Sequence, residues 1–307
     1  MGSDLRRHAK KGMVIIMDIA VLSDIHGNHV ALEACVKYAV ERGIDTFVFL
    51  GDYLGEMAYP EKTMAHLYRL KEQYTCYFIK GNKEDYWIKH HLNNEIEWPD
   101  NNSASGSLHY TYERLTDRDF RFFESMVPSA ELKPSKELPA FIACHGSPRN
   151  AYEKMLPDER TYQLMEHASL PLILCGHTHI PGELTYNGCH VVNAGSVGVA
   201  LDGSAHAQFL LLHGIKNAWS WEFLSIPYDT RQVLTELKEE QLHLHAPFWC
   251  HITKQLLNGS TVSHGTVLSL AMELCRQNTG CCEWPDIPEH YWEQACCELL
   301  PIPVPSI

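Results

Sequence analysis

Five short apolar runs constrain this chain more than any other feature, because each is followed at once by a residue that can bind a metal. The runs are Ile19 to Leu22, Thr46 to Leu50, Cys76 to Ile79, Phe141 to Cys144 and Leu172 to Cys175. After them stand, in order, Ser23-Asp24-Ile25-His26-Gly27-Asn28, Gly51-Asp52, Gly81-Asn82, His145-Gly146 and Gly176-His177-Thr178-His179. Apolar runs of this length between turn residues read as buried strands. Carboxylate, amide and imidazole groups therefore sit at the strands' carboxyl ends and not along them. In open α/β sheets that is the edge where ligands gather. One His-x-His pair alone is weak evidence; five strand tips carrying the same chemistry are strong evidence.

The intervening segments fit a parallel sheet. Asn28 to Arg42 reads as a helix closed by Gly43, and Glu61 to Leu70 as a second. With strands at Met17 to Leu22, Ile44 to Leu50 and Tyr74 to Ile79, they form a βαβαβ unit. Lys83 to Leu92, Leu108 to Leu115, Asp117 to Met126 and Glu159 to Ala168 are expected helices. Asn187-Gly188 is a hairpin turn between strands Glu183 to Tyr186 and His190 to Asn193, and two more strands follow at Gln208 to His213 and Ala218 to Ile226. Asn93 to Ser107 is polar and turn-rich, either part of a lid or an ordinary insertion. Pro227 marks a change of pattern. Beyond it the chain reads as helices at Thr230 to Glu240, Phe248 to Leu257 and Val262 to Cys275, then a Trp-, Pro- and Cys-rich end. The expected division is an upstream extension over 1–16, a main domain over 17–227 and a helical appendage over 228–307.

Composition narrows the function classes. A formal net charge of -13, with no basic run beyond the first dozen residues, argues against a nucleic-acid surface. No apolar run reaches the roughly 18 residues of a membrane-spanning helix. The first residues, MGSDLRRHAKKGMVII, carry too short an apolar patch for a signal peptide. Together with eleven cysteines, this leads to an expectation of reduced thiols in the cytoplasm. Cys281-Cys282 and Cys296-Cys297 lack the spacing of a structural zinc site.

The order DxH, GD, GN, H, GHxH resembles the calcineurin-like metallophosphoesterases, over about Met17 to Ile226. GDYLGEMAYPE after the second strand, HGSPRN at the fourth and NAGSVG at Asn193 to Gly198 are similar to the bacterial and archaeal phosphodiesterase branch often labelled diadenosine-tetraphosphatase-related. The resemblance implies an α/β fold with two packed mixed β-sheets flanked by helices, a four-layer sandwich, here followed by the C-terminal helices. It implies two divalent metal ions, bridged by Asp52. Asp24, His26 and His179 would complete one metal; Asn82, His145 and His177 would complete the other. This mixed donor set suits manganese, iron or zinc and leaves the choice open. The expected activity is hydrolysis of a small phosphodiester or nucleotide-type ester by a hydroxide held between the metals. A protein phosphatase, or a metal-free binding module of the same fold, are the alternatives.

Several residues carry further expectations. Asp52, Asn82, His145 and Lys83 are the candidate catalytic residues. Arg149, on the loop after His145, is an expected phosphate contact, since a guanidinium binds phosphate in a two-pronged manner. Asn28 is grouped with it on the substrate side, orienting the site. Lys83 stands where many members of the family carry a histidine that protonates the leaving group. It can donate a proton, act as a point charge, or simply start a solvated helix. His29, His90, His91, His109, His206 and His213 have no motif support, and Gly195 to Gly198 is a tight turn, not a P-loop. Because every proposed ligand precedes Pro227, a chain ending near Ile226 is expected to keep its hydrolytic activity. The expected partner is a small phosphate ester; the oligomeric state is not legible.

Overall fold

A computed structural model describes residues 15–93 and 98–300. The first fourteen residues of the expected extension, four residues of the polar 93–107 segment and the terminal PIPVPS stretch lie outside the described residues. In chain order the elements are β1 (Ile15–Leu22), α1 (His29–Val40), β2 (Thr46–Phe49), α2 (Pro60–Gln73), β3 (Thr75–Phe78), α3 (Asn82–Asn93), α4 (Gly106–Tyr112) and α5 (Asp117–Glu124). The second half contains β4 (Ser129–Leu132), β5 (Phe141–Cys144), α6 (Glu159–Glu166), β6 (Leu172–Cys175), β7 (Gly182–Tyr186), β8 (Cys189–Asn193), β9 (Ala207–Ile215) and β10 (Ala218–Ile226). Five helices close the chain: α7 (Thr230–Glu239), α8 (Leu242–His245), α9 (Pro247–Leu257), α10 (His264–Thr279) and α11 (Glu289–Leu299).

Two five-stranded sheets form, in the orders β10-β9-β1-β2-β3 and β4-β5-β6-β8-β7. Both are mixed. β1, β2 and β3 run parallel, β9 pairs antiparallel with β1 and β10 antiparallel with β9; β5, β6 and β8 run parallel, with β4 antiparallel to β5 and β7 antiparallel to β8. The strand period of two explains the layering. Ile19 and Val21 of β1 point between the sheets, where they meet Phe141, Leu172, Leu174 and Val192 of the other sheet. Ala20 and Leu22 point the other way, toward Leu32 of α1, Met64 and Leu67 of α2 and Phe123 of α5. On the far side, Ile142, Ile173 and Val191 pack under Leu164 and Met165 of α6. This is the four-layer α/β sandwich that the resemblance implies.

β1 begins at Ile15, two residues before the expected start, since its backbone pairs with β9 from Ile15↔Ile215. The described part of the 93–107 segment is not a free flap. The Asn102 amide donates to the His245 carbonyl at 3.0 Å, and Ser103 is buried, donating to Glu289 and accepting from the Phe248 amide. The C-terminal helices therefore clamp it. They are clamped to the main domain as well: His29 of α1 and Lys62 of α2 both reach Glu236 of α7, at 2.9 and 3.0 Å.

Candidate active site

All five ligand-bearing strand tips open on the same edge of the sandwich. The backbone there is unusual: Asp24, His26, Asp52, His177 and His179 all have positive φ, between 52° and 66°. Non-glycine residues avoid this region, at a cost of about 1 kcal/mol or more each, and such strain concentrates at functional sites. The tight turns also need glycine between neighbours. A Cβ on Gly176 would stand 1.8 Å from Ser23 Oγ, and one on Gly81 would stand 2.2 Å from Asp52 Oδ1.

The side chains converge in two groups. In the first, His179 Nε2 lies 3.2 Å and His26 Nε2 3.7 Å from Asp24 Oδ1, with the two imidazole nitrogens 2.9 Å apart. In the second, His145 Nε2 lies 3.5 Å from Asp52 Oδ1, 3.0 Å from Asn82 Oδ1 and 3.2 Å from His177 Nδ1. Asp52 spans both, since its Oδ2 is 4.0 Å from His26 Nε2. The geometry differs from the implied grouping in one respect. Asp24 Oδ1 is also 4.0 Å from His145, so a second carboxylate stands between the groups.

The outer atoms of these residues are pinned. His145 Nδ1 bonds the Leu50 carbonyl at 2.8 Å, and His179 Nδ1 bonds the Val199 carbonyl at 2.9 Å. A carbonyl only accepts, so Nδ1 carries the proton and each Nε2 turns a lone pair inward. Asp24 Oδ2 accepts from Ser23 Oγ at 2.6 Å and from the His177 amide at 2.9 Å, leaving Oδ1 buried with no hydrogen-bond partner among the described residues. Inward lone pairs on buried nitrogen and oxygen repel one another unless positive charge lies among them. Fixed outer hydrogen bonds with an open inner face are what metal-binding imidazoles require, and the donors suit borderline divalent cations. The residues present therefore fit a metal centre.

The electrostatics agree with a need for cations. Burial alone would raise Asp24, but His179 and His145 outweigh it and hold the carboxyl well below its usual range. Burial would lower His26, yet Glu56 and Asp24 push it up to about 10. For His177, burial and then His145 bring the imidazole down to about 4.

Three residues around the cluster were given no role by the sequence reading, although Glu56 falls within GDYLGEMAYPE and Asn193 opens NAGSVG. Glu56, 3% exposed, lies 2.5 Å from His26 Nδ1 and 2.7 Å from Lys83 Nζ. Glu84, fully buried, accepts from the amides of Asp52, Tyr53 and Gly81, holding the second and third strand tips together. Asn193 donates to the Gly176 carbonyl and Thr178 Oγ1 and so shapes the His177-Thr178-His179 turn.

Two residues expected on the substrate side, Arg149 and Asn28, do not line the cleft above the cluster. Arg149 is exposed on the turn after β5 and does not line the cleft above the cluster; Lys154 does. The Asn28 amide is fully committed to the fold. It caps α1 by accepting from Ala31 and donates to the Gly198 carbonyl and Tyr228 Oη, so it positions the loops around the cluster. Lys83 does face the cleft, with its backbone amide on Asp52 Oδ1 at 2.9 Å. Burial lowers its pKa, but Glu56 and Asp52 outweigh that and raise it.

The cleft measures about 320 Å³. Its second wall comes from the C-terminal helices, which supply Trp249, Ser263, His264, Leu268 and Trp284. No ligand motif lies there, so this wall was not legible in the chain.

A sequence profile of the calcineurin-like phosphoesterase superfamily domain matches residues 17–216. An uncharacterized protein of Methanocaldococcus jannaschii is 25% identical over 243 residues, covering 73% of this chain and 93% of that one. Two crystal structures share the fold. A hypothetical protein from Pyrococcus horikoshii superposes with a TM-score of 0.67 at 22% identity, over 80% of this chain and all of that one. A metallophosphoesterase from Sphaerobacter thermophilus gives 0.61 at 20% identity, over 79% and 98%.

Proposed function

This chain belongs to the calcineurin-like phosphoesterase superfamily, and from that premise we propose that it is a metal-dependent hydrolase of small phosphodiesters. One observation carries the reading: Asp24, His26, Asp52, His145 and His179 are gathered at one edge of the sandwich, with His145, His179 and Asp24 pinned from behind so that their free atoms turn inward. Asp24, His26 and His179 would hold one divalent cation and Asn82, His145 and His177 another, with Asp52 between them; bound cations supply Lewis acidity to the phosphoryl oxygens and acidify water.

The protein's own groups do the rest. Lys83 keeps its proton at neutral pH and offers a fixed positive charge for a phosphoryl oxygen. Glu56 holds that ammonium in place and steadies His26. Lys154 at the cleft mouth adds a second positive charge. A wall of helices over a cleft of about 320 Å³ favours a small ester over a phosphoprotein. No helix among the described residues is long and apolar enough to cross a membrane, and all eleven cysteines are unpaired, which supports our placing the protein in the reducing cytoplasm.

The test is to strip the protein with chelator, restore Mn²⁺, Zn²⁺ or Mg²⁺ singly, and assay mono- and diesters, dinucleoside polyphosphates and a phosphopeptide. Turnover of bis-p-nitrophenyl phosphate that appears only on restoring metal is the expected result. A protein that binds metal and turns over nothing defeats the reading. Strong preference for the phosphopeptide transfers it to the protein phosphatases.

A further inference from the structure

We propose that Cys275 and Cys282 are a reversible thiol–disulfide pair, and that closing it moves the part of the cleft wall carried by Trp284. The proposal rests on the phosphodiesterase reading only for what the moved wall does to turnover.

Most of the eleven unpaired cysteines are buried. Cys144 and Cys175 neighbour one another, but both are fully buried beneath α6 and closed to an oxidant. The end of α10 is different. Gly280 has a φ of 81° and its amide donates to the Arg276 carbonyl at 2.9 Å, so the chain turns back there. The turn lays the next residues against the last turn of the helix. Cys275 Sγ lies 3.9 Å from the Cys281 carbonyl oxygen, and Thr279 Oγ1 donates to the carbonyls of both Cys275 and Cys281. The two cysteines after Gly280 then part. Cys281 is exposed. Cys282 is half-buried, packs against the apolar cluster that contains Cys275, and hydrogen-bonds with the Cys275 thiol. One buried and one accessible thiol are therefore already in contact.

The pair is tied to the cleft by two residues of chain. Trp284 lines the cleft, and its ring lies 5.9 Å from that of Tyr86 with 28° between planes. Tyr86 stands on α3, whose first residue is the candidate ligand Asn82. A disulfide is about 2.05 Å long, shorter than any hydrogen bond between thiols. Oxidation thus pulls Cys282 toward Cys275 and shifts Trp284 on Tyr86, while the metal-ligand cluster keeps all its own groups.

The co-reactant is a small disulfide. Cys282, as thiolate, attacks one of its sulfurs and expels one small thiolate. Cys275, as thiolate, then attacks the Cys282 sulfur of the mixed disulfide and expels the second. The two protein thiols lose two electrons and two protons; the small disulfide gains them and leaves as two thiols. Burial, then Cys275, pushes the Cys282 thiol up to about 11. Thiolate is scarce at neutral pH, so exchange is slow and the pair answers sustained oxidising conditions.

The test uses full-length protein equilibrated with oxidised glutathione. Remaining thiols are alkylated and the digest is read by mass spectrometry, in wild type and in Cys281→Ser. A link between Cys275 and Cys282 that a phosphine reductant removes is expected in both. Tryptophan fluorescence should change on oxidation in wild type and stay constant in Trp284→Phe and Cys282→Ser. With metal restored, oxidation is expected to lower kcat/KM for bis-p-nitrophenyl phosphate by about tenfold, reversibly, and to leave Cys282→Ser unaffected. Cys275 is buried, so Cys282→Ser carries the comparison if Cys275→Ser fails to fold. No link, or a link to Cys281 that disappears in Cys281→Ser, overturns the proposal. So does a Cys275–Cys282 link that changes neither fluorescence nor turnover. The link and the fluorescence change in a protein that hydrolyses no ester would uphold the pair and defeat the phosphodiesterase reading alone.

Discussion

Glu56 is where residue-level chemistry and sequence reading part. Its carboxylate has two positive neighbours, His26 Nδ1 and Lys83 Nζ, and they outweigh the effect of burial to hold it well below the usual carboxylate range. Glu56→Gln removes the charge that orients His26, and losses of this kind cost roughly 10–100-fold in metal affinity. Competitive-chelator titration of variant and wild type measures it; equal affinities would reduce Glu56 to a counter-ion for Lys83. Asp52 answers a different question. Its oxygens face His145 at 3.5 Å and His26 at 4.0 Å. Asp52→Asn is therefore expected to empty both metal positions, and His179→Ala only one. Metal analysis after dialysis distinguishes the two, and two metals retained in Asp52→Asn would show that the centre is wrongly drawn. The candidate ligands were legible because few side chains bind hard or borderline cations and all of them stand at strand tips. The roles of Glu56, Glu84 and Asn193 were not, because a buried carboxylate or amide that orients a neighbour has no residue type or spacing of its own, even where, as for Glu56 and Asn193, it sits inside a motif.

At the scale of elements, strands were read more easily than the helices at the end. An apolar run of four buried residues, such as Leu172–Cys175, announces itself. The end of the chain does not. α8 has only four residues, and α11 starts directly after Pro288, inside a stretch whose Trp, Pro and Cys content reads as irregular. Proline ahead of a helix is a normal start, since its ring suits the first turn and no amide is lost. The left-handed turns were also invisible, because backbone φ at Asp24 or His179 is imposed by packing and not by residue type. α10 offers a test of how its first residue is seated. His264 is buried, and its Nε2 lies 2.9 Å from Thr253 Oγ1. Burial brings its pKa down to about 3 from an ordinary 6.5. The unfolded chain therefore takes up this proton first. The stability that neutral His264 contributes is complete above about pH 6.5 and is lost as pH falls toward 3. His264→Asn should melt below wild type at neutral pH, and the gap should narrow or reverse by about pH 4.5. A gap independent of pH would mean that His264 titrates alike in the folded and unfolded states.

For the whole molecule, the question is whether the C-terminal helices are an accessory. Motif positions suggest that they are, since every candidate ligand precedes Pro227. Packing argues the opposite. The helices bury Leu237, Phe248, Ile252, Leu256, Val267 and Trp292 in a cluster that also contains Met57, Ala58 and Val199 from the catalytic side. Met57 and Ala58 follow Glu56 directly, and the Val199 carbonyl accepts from His179 Nδ1. The helices thus press on the two loops that fix His26 and His179. Tyr228 reaches back to Asn28, and Glu236 to His29 and Lys62. Each large apolar side chain in that interface contributes about 1.5–3 kcal/mol of burial, and a folded domain has only about 5–15 kcal/mol to lose. A chain ending at Ile226 is therefore expected to lose both solubility and metal, reversing what the motif positions alone suggest. Gel filtration and metal analysis of that truncation decide the matter. A monodisperse product that binds metal and hydrolyses bis-p-nitrophenyl phosphate at the full-length rate would make the helices an accessory after all. A soluble product that has lost metal would show that these helices hold the ligand loops in place from outside.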